Sequence, residues 1–456
     1  MTPRDVFAGK TDGLAHRCDQ PRRARSSRVR PGRGWKIVSL IVLLTCGAGC
    51  RLAFVSVERD LAKLTRIERI RGRAHTGGQP RDRTIVLLFH EGEDGPTLLD
   101  FARTDGAGHF LFTVTPGRYS LSAFVDENDD LVVQPGEPAA RYAPLALATG
   151  ERREGVIEID LVDESRSALA GLEIRSDDLP PPSVESPSSL GHLVVSGEVV
   201  RLDDARFSPV NGRTGLWKPF EFAVAGLAGL YFLEPYDVRK VPVLFVHGAG
   251  GNPAEWTHLV SQLDRERYQP WLVYYPSGLE LKRTAERIAR LLDQMRADFG
   301  WERMLIVAHS MGGLVARGII LELEAMSESE SARTLITLAT PWGGMAAADL
   351  GVRQAPVVVP SWRDVAPGSA YLQWLDATPL PDHVAFVVLF GWHGYSMIEG
   401  APSDGTVTLD SQLTQAVQQA ATTVHGFPET HTSILRSDEV AGVVIDALDA
   451  VTGVGQ

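Results

Sequence analysis

The segment Met304-Leu305-Ile306-Val307-Ala308-His309-Ser310-Met311-Gly312-Gly313 constrains this chain more than any other. Four apolar residues without alternation read as a strand buried on both faces. Gly313-Leu314-Val315-Ala316-Arg317 reads as the start of a helix, so the chain must turn sharply in between. Such a turn lifts its apex side chain, Ser310, clear of the backbone and requires small neighbours. Gly312 meets that need, and Ala308 costs one methyl where a second glycine is usual. A serine hydroxyl is a poor nucleophile until a base removes its proton. The rest of the chain must therefore supply a base, an acid to orient it, and donors for a developing oxyanion.

One donor is expected from the Met311 N–H, next after the nucleophile. The second is expected from the loop His247-Gly248-Ala249-Gly250-Gly251-Asn252, which follows the buried strand Val241–Val246, with Ala249 as the donor. Acid and base should follow in the order Ser, acid, His. Asp404 lies beyond the strand Val384–Leu389 in Ser403-Asp404-Gly405, where open α/β sheets place their sites. Asp376, Asp382 and Asp410 lack that strand-then-Gly setting. His431 stands at the junction between a last strand, Thr422–Val424, and a helix from Thr432 or Ser433; His425 is its rival. His309 is assigned a structural place at the turn, and His383 and His393 a surface or lid position.

From about residue 215 apolar strands alternate with amphipathic helices, which predicts a mostly parallel sheet covered on both faces. The helix Leu279–Phe299 carries Ile288, Leu291, Leu292 and Met295 on one side. This α/β domain is expected over 196–456. Residues 345–402, with Trp362, Tyr371, Trp374 and Trp392, interrupt it as a lid or as a packed excursion. Upstream, short alternating strands over 84–165 predict a small β-sandwich. Residues 51–83 read as an Arg-rich spacer, and the Pro/Ser-rich stretch 166–195 as a linker. In the sandwich, Asp126, Asn128, Asp130 and Glu137 have the spacing of a calcium loop, but Leu131 replaces its turn glycine. An acidic turn between strands is the competing expectation.

Charge is split along the chain. Residues 1–36 hold ten Lys/Arg and three Asp/Glu, which leaves 35 and 54 for the rest, a balance of −19. An acidic body excludes nucleic acid as a partner. The basic head runs into Ile37–Leu44 and then Thr45-Cys46-Gly47-Ala48-Gly49-Cys50, the pattern of a secretory signal. All three cysteines, Cys18, Cys46 and Cys50, lie in this segment, so disulfides and cysteine chemistry are excluded for the body.

Two resemblances follow. Residues 1–50 resemble a bacterial lipoprotein leader, which implies a lipidated Cys50, with Cys46 or a plain signal peptide or uncleaved anchor as alternatives. From about Trp217 onward the chain resembles bacterial lipase and GPI inositol-deacylase-like serine hydrolases of the α/β-hydrolase fold. Pro242–Gly248, Ala308–Gly313, Leu338-Ala339-Thr340-Pro341-Trp342-Gly343-Gly344, Asp404–Val407 and His431 carry that resemblance. It implies ester or amide hydrolysis through an acyl-enzyme, with no metal or organic cofactor. The expectation is an exported esterase or lipase at the cell envelope, held to the membrane by an N-terminal lipid. Acyl transfer by the same triad, or an inactive envelope scaffold or adhesion lipoprotein, are its alternatives; oligomeric state is not legible.

Overall fold

The computed structural model describes residues 49–452 except 65, 82, 149–155, 163–170, 176–178, 181–188, 190–194 and 327–330. The leader up to residue 48, Cys18 and Cys46 included, lies outside the described residues. Cys50 is the second residue of helix α1 (Gly49–Leu64).

Strands β1 (Glu68–His75), β2 (Thr84–Gly92), β3 (Gly95–Arg103), β4 (His109–Val114), β5 (Gly117–Val125), β6 (Ala139–Leu147) and β7 (Ile157–Asp160) form two sheets. Their orders are β4-β1-β7 and β3-β2-β5-β6. Ile70, Phe110 and Phe112 of the first and Val86, Tyr119 and Leu121 of the second join one apolar cluster. Strand β1 corrects the spacer expected over 51–83. Its even-numbered residues are buried and its odd-numbered ones are not, so Arg69, Arg71 and Arg73 lie on one open face of a strand. The expected linker also touches the sheets: Ser189 is buried, bridges Val114, and donates its Oγ to Asp100 at 2.5 Å.

In the acidic loop that follows β5, the side chains bind the loop's own backbone. Asp126 accepts the N–H groups of Asp130 and Leu131, Glu137 those of Glu127 and Gln134, and Asp130 that of Val132. Asn128 donates to Asp130. The carboxylates thus satisfy the loop's own backbone, and no three His, Cys, Asp or Glu gather for a metal ion among the described residues.

Further strands are β8 (Val195–Val199), β9 (Gly229–Phe232), β10 (Val241–Val246), β11 (Tyr268–Tyr274), β12 (Met304–His309), β13 (Ala332–Leu338) and β14 (Ala385–Gly391). A small hairpin, β15 (Gly394–Ser396) and β16 (Ala401–Ser403), precedes β17 (Thr423–Phe427). The main sheet runs β17-β14-β13-β12-β10-β11-β9-β8. Strands β10 to β14 and β17 pair in parallel, while β9 meets β11 antiparallel. Strands β10, β12 and β13 are almost wholly buried, as continuous apolar runs require.

Helices cover both faces. Helices α2 (Pro209–Trp217) and α3 (Pro219–Val224) precede β9, and α4 (Thr257–Gln262) follows β10. Helix α5 (Leu281–Phe299) turns Ile288, Leu292 and Met295 onto one face, beside α6 (Met311–Met326). Between β13 and β14 come α7 (Ala346–Gln354), α8 (Pro360–Val365) and α9 (Ala370–Ala377). Tyr371, Leu372 and Leu375 of α9 join the same cluster as α5 and α6, and the Tyr371 hydroxyl donates to the Leu314 carbonyl at 3.0 Å. Short helices α10 (Leu409–Gln412) and α11 (Gln415–Ala420) lead to β17, and α12 (Asp438–Thr452) packs on the opposite face with α4.

Candidate active site

Ser310 sits where β12 ends and α6 begins, at φ +55°, a conformation that side-chain-bearing residues rarely adopt. The fold holds it there. Its N–H donates to Leu338 at 2.8 Å, extending the β12–β13 ladder to the turn itself. A Cβ on Gly312 would lie 2.4 Å from the Val246 carbonyl oxygen and 2.5 Å from that of His247. Only glycine lets α6 leave that close to β10.

Asp404 follows the hairpin β15–β16 and is fully buried. Its Oδ1 accepts the N–H groups of Thr406 at 2.8 Å and Val407 at 2.7 Å. Its Oδ2 lies 2.7 Å from His431 Nδ1, and His431 Nε2 lies 2.9 Å from Ser310 Oγ. Because a carboxylate only accepts, Nδ1 carries the proton and Nε2 presents its lone pair to the serine hydroxyl. The His431 N–H also donates to the Asp404 carbonyl at 2.8 Å. The fold thus brings together residues 94 and 121 positions from Ser310 along the chain.

The rivals stand elsewhere. Asp376 is in α9, Asp410 in α10, and Asp382 precedes β14. His425 lies within β17 rather than after it, opposite Leu389, because pairing with β14 continues to Phe427. His383 sits 3.2 Å from Glu324. His393 donates its N–H to the Glu429 carbonyl.

His309 has a place the sequence could only describe as structural. Its Nε2 donates to the His431 carbonyl at 2.8 Å, and burial pushes its pKa down to about 3, so the ring is neutral. Gln412, missed in the sequence, accepts from Gly391 N–H and donates to the Gly391 and Val407 carbonyls. It ties the Asp404 loop to β14. A lone glutamine carries no motif that would reveal this.

The glycine loop after β10 lies against Ser310, since a Cβ on Gly248 would stand 2.9 Å from the Ser310 Cβ. Gly251 N–H donates to Gly248, and Gly250 N–H to the Ser277 hydroxyl at 2.9 Å. Buried His247 stacks on Tyr275 with centroids 4.4 Å apart, and burial lowers its pKa to about 4. Ala249 is exposed at the loop's tip. Met311 opens α6, where the first N–H groups have no partner within the helix.

A strained serine between parallel strand and helix, on a sheet of this order, with buried Asp404 and partly buried His431 beside it, defines a serine hydrolase of the α/β-hydrolase superfamily. Residues 240–363 match the family described as "Putative serine esterase (DUF676)". No curated protein sequence matches the chain. Among solved structures it is similar to Bacillus licheniformis lipase BlEst2 in mature form, with 18% identity and TM-score 0.38 over 48% of this chain and 97% of that one. It is similar to a Listeria innocua protein at 13% identity and TM-score 0.36, over 46% and 94%. Phospholipase PlaB from Legionella pneumophila is matched at 17% identity and TM-score 0.36, over 47% and 62%.

Proposed function

We propose that this serine ester hydrolase cleaves carboxylic esters of lipase or esterase type through a Ser310–His431–Asp404 triad and an acyl-enzyme. The observation that carries this is the unbroken line from buried Asp404 through His431 to Ser310, at 2.7 and 2.9 Å. Ser310 Oγ attacks the ester carbonyl carbon as its proton passes to His431 Nε2, and Asp404 stabilises the imidazolium. The Met311 and Ala249 N–H groups hold the oxyanion. Its collapse breaks the ester C–O bond, and the alkoxide leaves with the proton from Nε2. Water, deprotonated by His431, then attacks the acyl carbon and frees the serine.

An ester presented at a lipid surface fits the surroundings of the site. Trp392, Tyr395, Met397 and Ile398, on and beside the hairpin that leads into Asp404, are 47%, 57%, 90% and 60% exposed. We further propose export and anchoring at the cell envelope through a lipid on Cys50. Among the described residues no helix is long and apolar enough to cross a membrane. Asp60, ten residues after Cys50, is buried and accepts the N–H groups of Phe220 and Glu221, both at 2.9 Å.

A fluorophosphonate probe should label the wild type and spare Ser310→Ala. Turnover of p-nitrophenyl esters should fall by about 10⁴-fold or more in Ser310→Ala and His431→Ala. Equal labelling of wild type and Ser310→Ala would overturn the triad. Labelled palmitate should enter the wild type and not Cys50→Ala; entry into both would remove the anchor.

A further inference from the structure

A loop as rich in glycine as His247-Gly248-Ala249-Gly250-Gly251-Asn252 has little conformational preference of its own, yet an oxyanion donor must be held still before reaction. Something outside the glycines must do this. Part of the answer is the Gly251–Gly248 turn and the Ser277 hydroxyl on Gly250. Asn252 supplies another part, since its Oδ1 accepts the Ala254 N–H at 3.1 Å and its backbone carbonyl accepts the Glu255 N–H at 3.2 Å. The remaining contact is made by Glu255 itself, which folds back onto the loop. A Cβ on Gly251 would stand 2.9 Å from Glu255 Oε2, and the buried Asn252 amide donates to Oε1 at 3.4 Å.

We propose that Glu255 is a positioning residue for the esterase reaction, wedged against Gly251 so that the loop presents the Ala249 N–H to the oxyanion. This rests on Ser310 being the nucleophile and on the loop supplying a donor. His431 and Arg436 act on Glu255 electrostatically from the segment after β17, as do Tyr274 at the end of β11 and Tyr275 just beyond it. His258, bound to Asp438 at 3.2 Å, lines the same cavity. No lysine or arginine forms an ion pair with Glu255 among the described residues. Loss of water raises its carboxyl to about 7, against the pull of the Asn252 hydrogen bond, His431 and Arg436. It borders a cavity of about 490 Å³ that Ala254, Thr257, His258, Ser261 and Arg436 also line.

Two consequences separate positioning from mere packing. The protonated carboxyl leaves the loop neutral, whereas the carboxylate sets a negative charge directly behind the backbone that receives a negative oxygen. The same charge also attracts the His431 imidazolium that forms in the same step. The ratio of wild-type kcat to that of Glu255→Gln should therefore change as pH passes through about 7. A glutamine keeps the acceptor for Asn252 and cannot ionise.

The test compares wild type, Glu255→Ala and Glu255→Gln on a soluble p-nitrophenyl ester between pH 5.5 and 9, with fluorophosphonate labelling and melting curves in parallel. Glu255→Ala should lower kcat about tenfold or more with KM within about twofold, because the donor acts in the transition state. Glu255→Gln should restore most of that loss and lack the inflection near 7. Should Glu255→Ala fail to fold, the pH profile of Glu255→Gln decides alone. Ser310-dependent labelling together with wild-type profiles in both variants would overturn Glu255's role and leave the triad standing. Labelling that survives in Ser310→Ala would sink the triad and this inference with it.

Discussion

Asp404 illustrates how one buried carboxylate spends each oxygen differently. Oδ1 closes the loop on Thr406 and Val407, and Oδ2 fixes the His431 tautomer. In Asp404→Asn the carbonyl oxygen would keep the two loop N–H groups and turn its NH₂ toward Nδ1. The imidazole would then carry its proton on Nε2, facing Ser310, where it cannot act as a base. We expect kcat to fall by about 10⁴-fold with little change in melting temperature; ester kinetics and thermal melts on the variant check this. His309 and His247 set a second residue-scale expectation. Both are held neutral, at about 3 and about 4 against an ordinary 6.5. Their folded pKa is depressed, so the unfolded chain binds more protons below 6.5. They contribute stability that is fully present above about pH 6.5 and lost as pH falls toward 4. Melting temperature measured from pH 7 to 4 should drop, and the drop should be smaller in His309→Asn; identical curves would contradict it.

At the scale of elements, the parallel strands were legible because burial on both faces leaves runs such as Val241–Val246 with no polar residue to alternate. The N-terminal strand β1 was not legible. Its outward arginines read as a solvated spacer, and only pairing with β4 and β7 reveals which of its positions are covered. The end of β17 escaped for a related reason: His425 and Gly426 are polar or small, and their place in the ladder depends on Leu389 and Phe390 of β14. Close approach of elements is where a single atom has most leverage. Gly312→Ala would push α6 against the Val246 and His247 carbonyls, both backbone atoms that cannot swing aside. It should destabilise the protein by about 1–3 kcal/mol or prevent folding, as read from urea midpoints; an unchanged midpoint would mean that α6 shifts freely.

Across the whole molecule, the apolar hairpin runs directly into Asp404, which joins it through His431 to Ser310. If the hairpin meets a lipid surface, Met397→Asp with Ile398→Asp should reduce turnover of an emulsified long-chain ester by about tenfold or more, the cost of keeping two apolar side chains out of lipid. Turnover of a soluble short-chain ester should stay within about twofold, and an equal loss on both substrates would show that the hairpin acts on the site itself. By itself the sequence determined the strand–turn–helix around Ser310, the parallel character of the sheet, and the chain order of serine, acid and histidine. These are local or periodic properties, written in consecutive residues. Tertiary structure alone decided that His309 and Gln412 brace the His431 and Asp404 loops, and that Glu255 lies against the glycine loop. Those contacts join residues as many as 122 positions apart, and no local pattern records which distant side chain will arrive. Ser310, Asp404 and His431 could be picked out from their settings along the chain; the distances that join them, and the residues that brace them, could not, because that geometry is built by the sheet.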